Sequence, residues 1–100
     1  MIKHIVFWTV KPTALGRDSQ ANALEMKSRL EALNGRIPKL LHLEVGLDLL
    51  HSAASADVAL YSEFADMDAL AAYQVHPEHE AVKTFIQAVT AHRMVIDYEV

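Results

Sequence analysis

The chain has no cysteine. That absence excludes disulfide staples and thiolate chemistry, and it fits a cytoplasmic location. No apolar run approaches the length of a membrane span, so no membrane partner is expected. The opening Met1-Ile2-Lys3-His4-Ile5-Val6-Phe7-Trp8 lacks the apolar stretch and small-residue cleavage site of a signal peptide, and it reads as a strand. There is no basic run, and the formal net charge is −4, which argues against nucleic acid as a partner. A glycine-rich phosphate loop and a Gly-x-Ser-x-Gly elbow are both missing. Ser52 and Ser55 lie in a loop without the surroundings a nucleophile needs. Repeats, linkers and low-complexity segments are also absent. One hundred residues then make one domain, residues 1–100, with a single core.

What is present is apolar. The hydrophobic fraction of 52% against 22% charged residues exceeds the average for a compact domain, which implies burial of surface beyond a monomer's core. There are six histidines; protonating all of them would add six charges to −4 and leave +2. Ile2 to Val10 is β-branched and aromatic, and both of its faces carry large apolar groups, so both need cover. Asp18 or Ser19 caps a helix predicted to run to about Asn34, with Ala23, Met26, Leu30 and Leu33 as its inward stripe and Gly35 just past its end. Leu40 to Leu49 alternates as a second strand, with Leu41, Leu43, Val45, Leu47 and Leu49 on one face and a bulge expected at Gly46. Asp57 to Phe64 is a third strand after a small polar loop. Asp66 caps the next helix, with Met67, Leu70 and Tyr73 on one side.

Within Ala72-Tyr73-Gln74-Val75-His76-Pro77-Glu78-His79 the chain turns. Proline has no N–H to donate and a φ near the helical value, so Pro77 opens a new helix and the earlier one ends near Gln74. His79, Val82, Ile86 and Val89 form its inward stripe, and Arg93 to Val100 is the last strand. The order β-α-β-β-α-α-β predicts an α+β fold, a four-stranded antiparallel sheet with helices on one face. The other face would expose Ile5, Phe7, Ala59, Tyr61 and either Val95 or Met94 with Ile96. A monomer rarely shows water such a patch, so a homodimer through this open face is expected.

The kinked junction directs attention to three polar side chains. His4 could act as a general base or sit as a bonded core histidine on a pocket wall. Tyr73 could donate to a ligand oxygen or serve as an aromatic core residue. His79 could hold a ligand oxygen beside Tyr73, orient His4, or plug the junction. Val6, Trp8, Leu60, Val82 and Ile86 are the expected walls of a small apolar pocket between sheet and helices. His76-x-x-His79 with Glu78 invites a metal reading, but its spacing does not match the zinc-hydrolase pair; no tight metal site and no cofactor are expected, and a weak magnesium site on backbone carbonyls and Asp or Glu oxygens stays open.

The opening strand with its histidine, Ile37-Pro38-Lys39-Leu40-Leu41-His42-Leu43-Glu44-Val45-Gly46, Tyr61-Ser62-Glu63-Phe64, the Tyr-x-x-His-Pro-x-His junction and Asp97-Tyr98 together resemble the stress-responsive A/B barrel domain (Dabb) family over nearly the whole chain. The resemblance implies a dimeric α/β barrel of ferredoxin-like protomers. It implies no settled activity, since the family ranges from plant stress-response proteins to a few polyketide cyclases. Those cyclases use a first-strand histidine and the junction's tyrosine and last histidine, which match His4, Tyr73 and His79. Their further third-strand histidine falls at about Val58, which counts against cyclase activity here. Three functions follow as expectations. The first is a dimeric protein binding a small apolar or aromatic ligand. The second is a cofactor-independent enzyme, cyclase-like or monooxygenase-like, with a histidine base. The third is a structural stress-response protein without a pocket.

Overall fold

The computed structural model describes residues Met1–Val100. Strand β1 (Ile2–Val10) leads through a small hairpin, β2 (Thr13–Ala14) and β3 (Arg17–Asp18), into helix α1 (Ser19–Glu31). Strands β4 (Leu40–Leu47) and β5 (Val58–Phe64), helices α2 (Met67–Gln74) and α3 (Pro77–Val89), and strand β6 (Thr90–Glu99) complete the order. The four long strands form one sheet in the order β4-β5-β1-β6, every neighbouring pair antiparallel. This is a ferredoxin-like α+β fold. No helix is long and apolar enough to cross a membrane.

Alternation decides which side of the sheet the helices cover. Ile2, His4, Val6, Trp8 and Val10 of β1 and Val58, Leu60, Ser62 and Phe64 of β5 are buried on the helical side. Ala23, Met26, Leu30 and Leu33 from α1 and Val82, Phe85, Ile86 and Val89 from α3 meet them in one core. Asp18 caps α1 through Oδ1, which accepts from the Ala21 N–H at 2.8 Å. Asp66 caps α2 in the same way, accepting from Ala69. Polar groups on and just after α1 occupy the outer edge of β4. Lys27 Nζ donates to the Val45 carbonyl at 2.6 Å, Asn34 Nδ2 donates to that of Leu43 at 2.8 Å, and Glu31 Oε2 accepts the Val45 N–H. That edge is thereby closed to strand addition.

Several boundaries differ from the sequence reading. Helix α1 stops at Glu31, not near Asn34, and Gly35 (φ +79°) lies in the turns that follow. The β2–β3 hairpin is new, turning on Leu15 and Gly16, both at positive φ. It is tied to α1 by buried Asn22, whose Nδ2 donates to the Ala14 and Arg17 carbonyls. The irregularity in β4 falls between Leu40 and His42, not at Gly46. It leaves Leu41 exposed while Leu43 and Val45 stay buried, so the apolar face is shorter than alternation suggests. Leu49 lies beyond the strand and is exposed. Met67 is exposed too, because α2 buries Ala69, Leu70 and Tyr73 instead.

On the far side of the sheet Phe7 (42% exposed), Met94 (72%), Ile96 (54%) and Tyr98 (40%) are accessible. The β1–β6 register sets Phe7 opposite Met94 and Ile5 opposite Ile96, giving a contiguous apolar surface. Of the two alternatives left by the sequence, Met94 with Ile96 face this side.

Candidate functional site

The junction between α2 and α3 builds the site. His76 is extended (φ −65°, ψ 133°), as a residue before proline must be, and its Nδ1 accepts the Glu78 N–H at 3.2 Å. Pro77 occupies the first helical position. Tyr73 on the last turn of α2 and His79 on the first turn of α3 are thereby brought face to face. Their rings stack with centroids 3.9 Å apart and planes inclined by 25°. Tyr73 is fully buried, packed on Phe64 at 4.9 Å and edge-on to His4 at 6.2 Å.

His4 enters from the middle of β1. Its backbone carbonyl accepts from Ser62 Oγ at 2.8 Å. Its ring is oriented by Asp97, which stands opposite it in the β1–β6 register, with Nδ1 bonded to Asp97 Oδ1. The carboxylate can only accept, so Nδ1 carries the proton in this contact and Nε2 is left without a partner inside the chain. In the sequence Asp97 stands out only as part of the closing Asp97-Tyr98 motif, with no role at the site. Its signal was register: once β6 lies beside β1, Asp97 alternates onto the same side as His4.

These groups border a cavity of about 340 Å³ between the sheet and α3. His4, Tyr73 and His79 line one part of it, and Val6, Trp8, Leu30, Leu60 and Ile86 form apolar wall. Val82 does not line it. That side chain lies in the core with Met26 and Phe85, as its place on the α3 stripe one turn before Ile86 allows. Val58, at about the place of the third-strand histidine, is core as well. Gln74, Lys83, Gln87, Thr90 and Arg93 complete the lining, and none of them was anticipated.

Three buried polar atoms on lining residues have no hydrogen-bond partner: Trp8 Nε1, Tyr73 Oη and His79 Nδ1. Each such orphan typically costs about 1–3 kcal/mol. The environment also fixes charge states. Burial pushes the Tyr73 phenol well above its ordinary value, against a smaller opposing effect of the Arg93 charge. Burial, with the nearby Lys83 ammonium, lowers His79 to about 4. At neutral pH this corner therefore holds a neutral phenol and a neutral imidazole. The constellation can donate and accept hydrogen bonds in an apolar recess, with one oriented histidine beside it.

The same fold occurs in solved structures. A dimeric protein of unknown function from Bacteroides fragilis is 30% identical over 99% of this chain and 95% of its own, with a TM-score of 0.86. A dimeric ferredoxin-like protein of unknown function from Thermobifida fusca is 26% identical over 99% of this chain and 90% of its own, also at 0.86. A hydroxynitrile lyase from Passiflora edulis shares the fold at 22% identity, covering 97% of this chain and 90% of its own, with a TM-score of 0.77. No curated protein matches the chain. The family model of the stress responsive A/B barrel domain matches residues 2–100, and the chain belongs to that family.

Proposed function

We propose that this protein is a cytoplasmic homodimer of single-domain subunits that bind a small apolar or aromatic molecule between sheet and helices. The observation that carries this reading is the coincidence of three unpartnered buried polar atoms, on Trp8, Tyr73 and His79, with one cavity of about 340 Å³. Most buried polar groups in folded proteins are paired, so orphaned polar atoms on three residues that line one cavity mark a wall built for more than core packing. The volume lies within the range of small-molecule sites. It counts against a purely structural stress-response role, for which a filled interior would suffice. The dimer reading draws support from the apolar open face and from relatives described as dimeric.

A second reading, an enzyme without cofactor, is favoured by the His4–Asp97 pair. An imidazole oriented through Nδ1 keeps Nε2 available as a base for an acidic C–H or O–H, with Tyr73 as a donor to the oxygen that gains charge. The enzyme named among the structural relatives shares the fold alone. The test is a thermal-shift screen of small aromatic compounds, followed by turnover assays on any that bind. Binding without turnover supports the first reading. Turnover that falls about 10²–10⁴-fold in His4→Ala, with binding retained, supports the second. A chain that no compound stabilises contradicts both.

A further inference from the structure

The cavity lining is one-sided in charge. Lys83 and Arg93 are on it and no carboxylate is, in a chain with 13 acidic residues against nine basic ones. Lys83 is already engaged: its Nζ donates to the Gln74 carbonyl at 3.2 Å and to Glu80 Oε1 at 3.0 Å. Arg93 is not. Arg17 and Arg29 pair with Glu25, and Arg36 pairs with Glu78, but Arg93 has no ion pair or side-chain hydrogen bond in the chain. It stands opposite Trp8 in the β1–β6 register, on the helical side of the sheet, at the cavity. An unpaired guanidinium at the mouth of an apolar recess, beside an indole that can only donate and a neutral phenol, presents donors and positive charge without a counter-ion.

We infer that the ligand is a small carboxylic acid with a flat apolar body, its carboxylate held by Arg93 and its body against Val6, Leu60 and Ile86. This deepens the binding reading and rests on it. A guanidinium matches a carboxylate with two parallel N–H···O bonds, a geometry an ammonium does not reproduce. Lys83 adds field from the α3 side, reduced by Glu80.

The test is calorimetric titration of the full-length protein with benzoate, cinnamate and 2-naphthoate, each beside its neutral amide. The expected result is that at least one acid binds roughly tenfold or more tightly than its amide. Arg93→Gln should bring that acid down to the amide's affinity, and Arg93→Lys should recover part of the gap. Arg93 is exposed, so these variants should keep the wild-type circular dichroism spectrum. If amides bind as tightly as acids, the carboxylate assignment is wrong and the pocket reading survives. If neither series binds, both fall. If Arg93→Gln weakens dimerisation and leaves the acid's affinity unchanged, the guanidinium serves the subunit contact and the assignment is overturned.

Discussion

Tyr73 and His79 stack at 3.9 Å because each is the neutral, flat neighbour the other can tolerate away from water. Burial holds His79 at about 4, below its ordinary value near 6.5, so the folded protein refuses a proton that the unfolded chain accepts. Stability should be complete above pH 6.5 and decline as pH falls toward 4, at no more than about 1.4 kcal/mol per pH unit. Glu25 and Glu31 are also held low, first by hydrogen bonds from Arg29 and Lys27 respectively, but their contributions are lost only as pH falls through and below the carboxylate range. The two windows are therefore separable. Urea unfolding between pH 7 and 4.5 should show the decline in the wild type and a flatter profile in His79→Gln; parallel profiles would contradict the assignment. At His4 the acceptor is Asp97, so neutral His4 should be the Nδ1-protonated tautomer. Nitrogen NMR at pH 8 should show that tautomer, and Asp97→Asn should erode it. An Nε2-protonated ring in the wild type would mean that the pair does not orient the imidazole.

Each helix is placed by a few terminal groups. Replacing Asp66 with Ala removes the acceptor of the Ala69 N–H and should cost about 1 kcal/mol, read as a lower urea midpoint at unchanged slope. Asp66, Pro77 and the α3 stripe could be identified in the sequence because caps, proline and a 3.6-residue period are local signals. The same holds for β1 and β5, whose alternation survives in the fold. What depends on pairing between strands was not legible. The displaced bulge at Leu40–His42 is a product of how β4 fits β5, and no residue type announces it. Asp97 needed the strand order before it could be set opposite His4. Arg93 and Lys83 needed both the register of β6 and the rotation of α3. Met67 obeyed the spacing but lost its place, since α2 turned Ala69 inward.

At the scale of the whole molecule, the sheet has two apolar sides and helices for only one. Phe7, Met94 and Ile96 remain accessible on the other, and pairing with a second subunit would remove them from water. Light scattering should give twice the chain mass at micromolar concentration. Ile96→Lys should give a monomer with near-native circular dichroism; a wild-type monomer would overturn the assembly. The interior carries its own reporter, since Trp8 is the chain's one tryptophan and lines the cavity. The decisive measurement is a fluorescence titration of Trp8 with the aromatic compound that stabilises the protein most, repeated on Ile86→Phe, which narrows the recess. A saturable change is expected in the wild type and a weakened or absent one in the variant. A change that never saturates, or that is identical in both proteins, would contradict it.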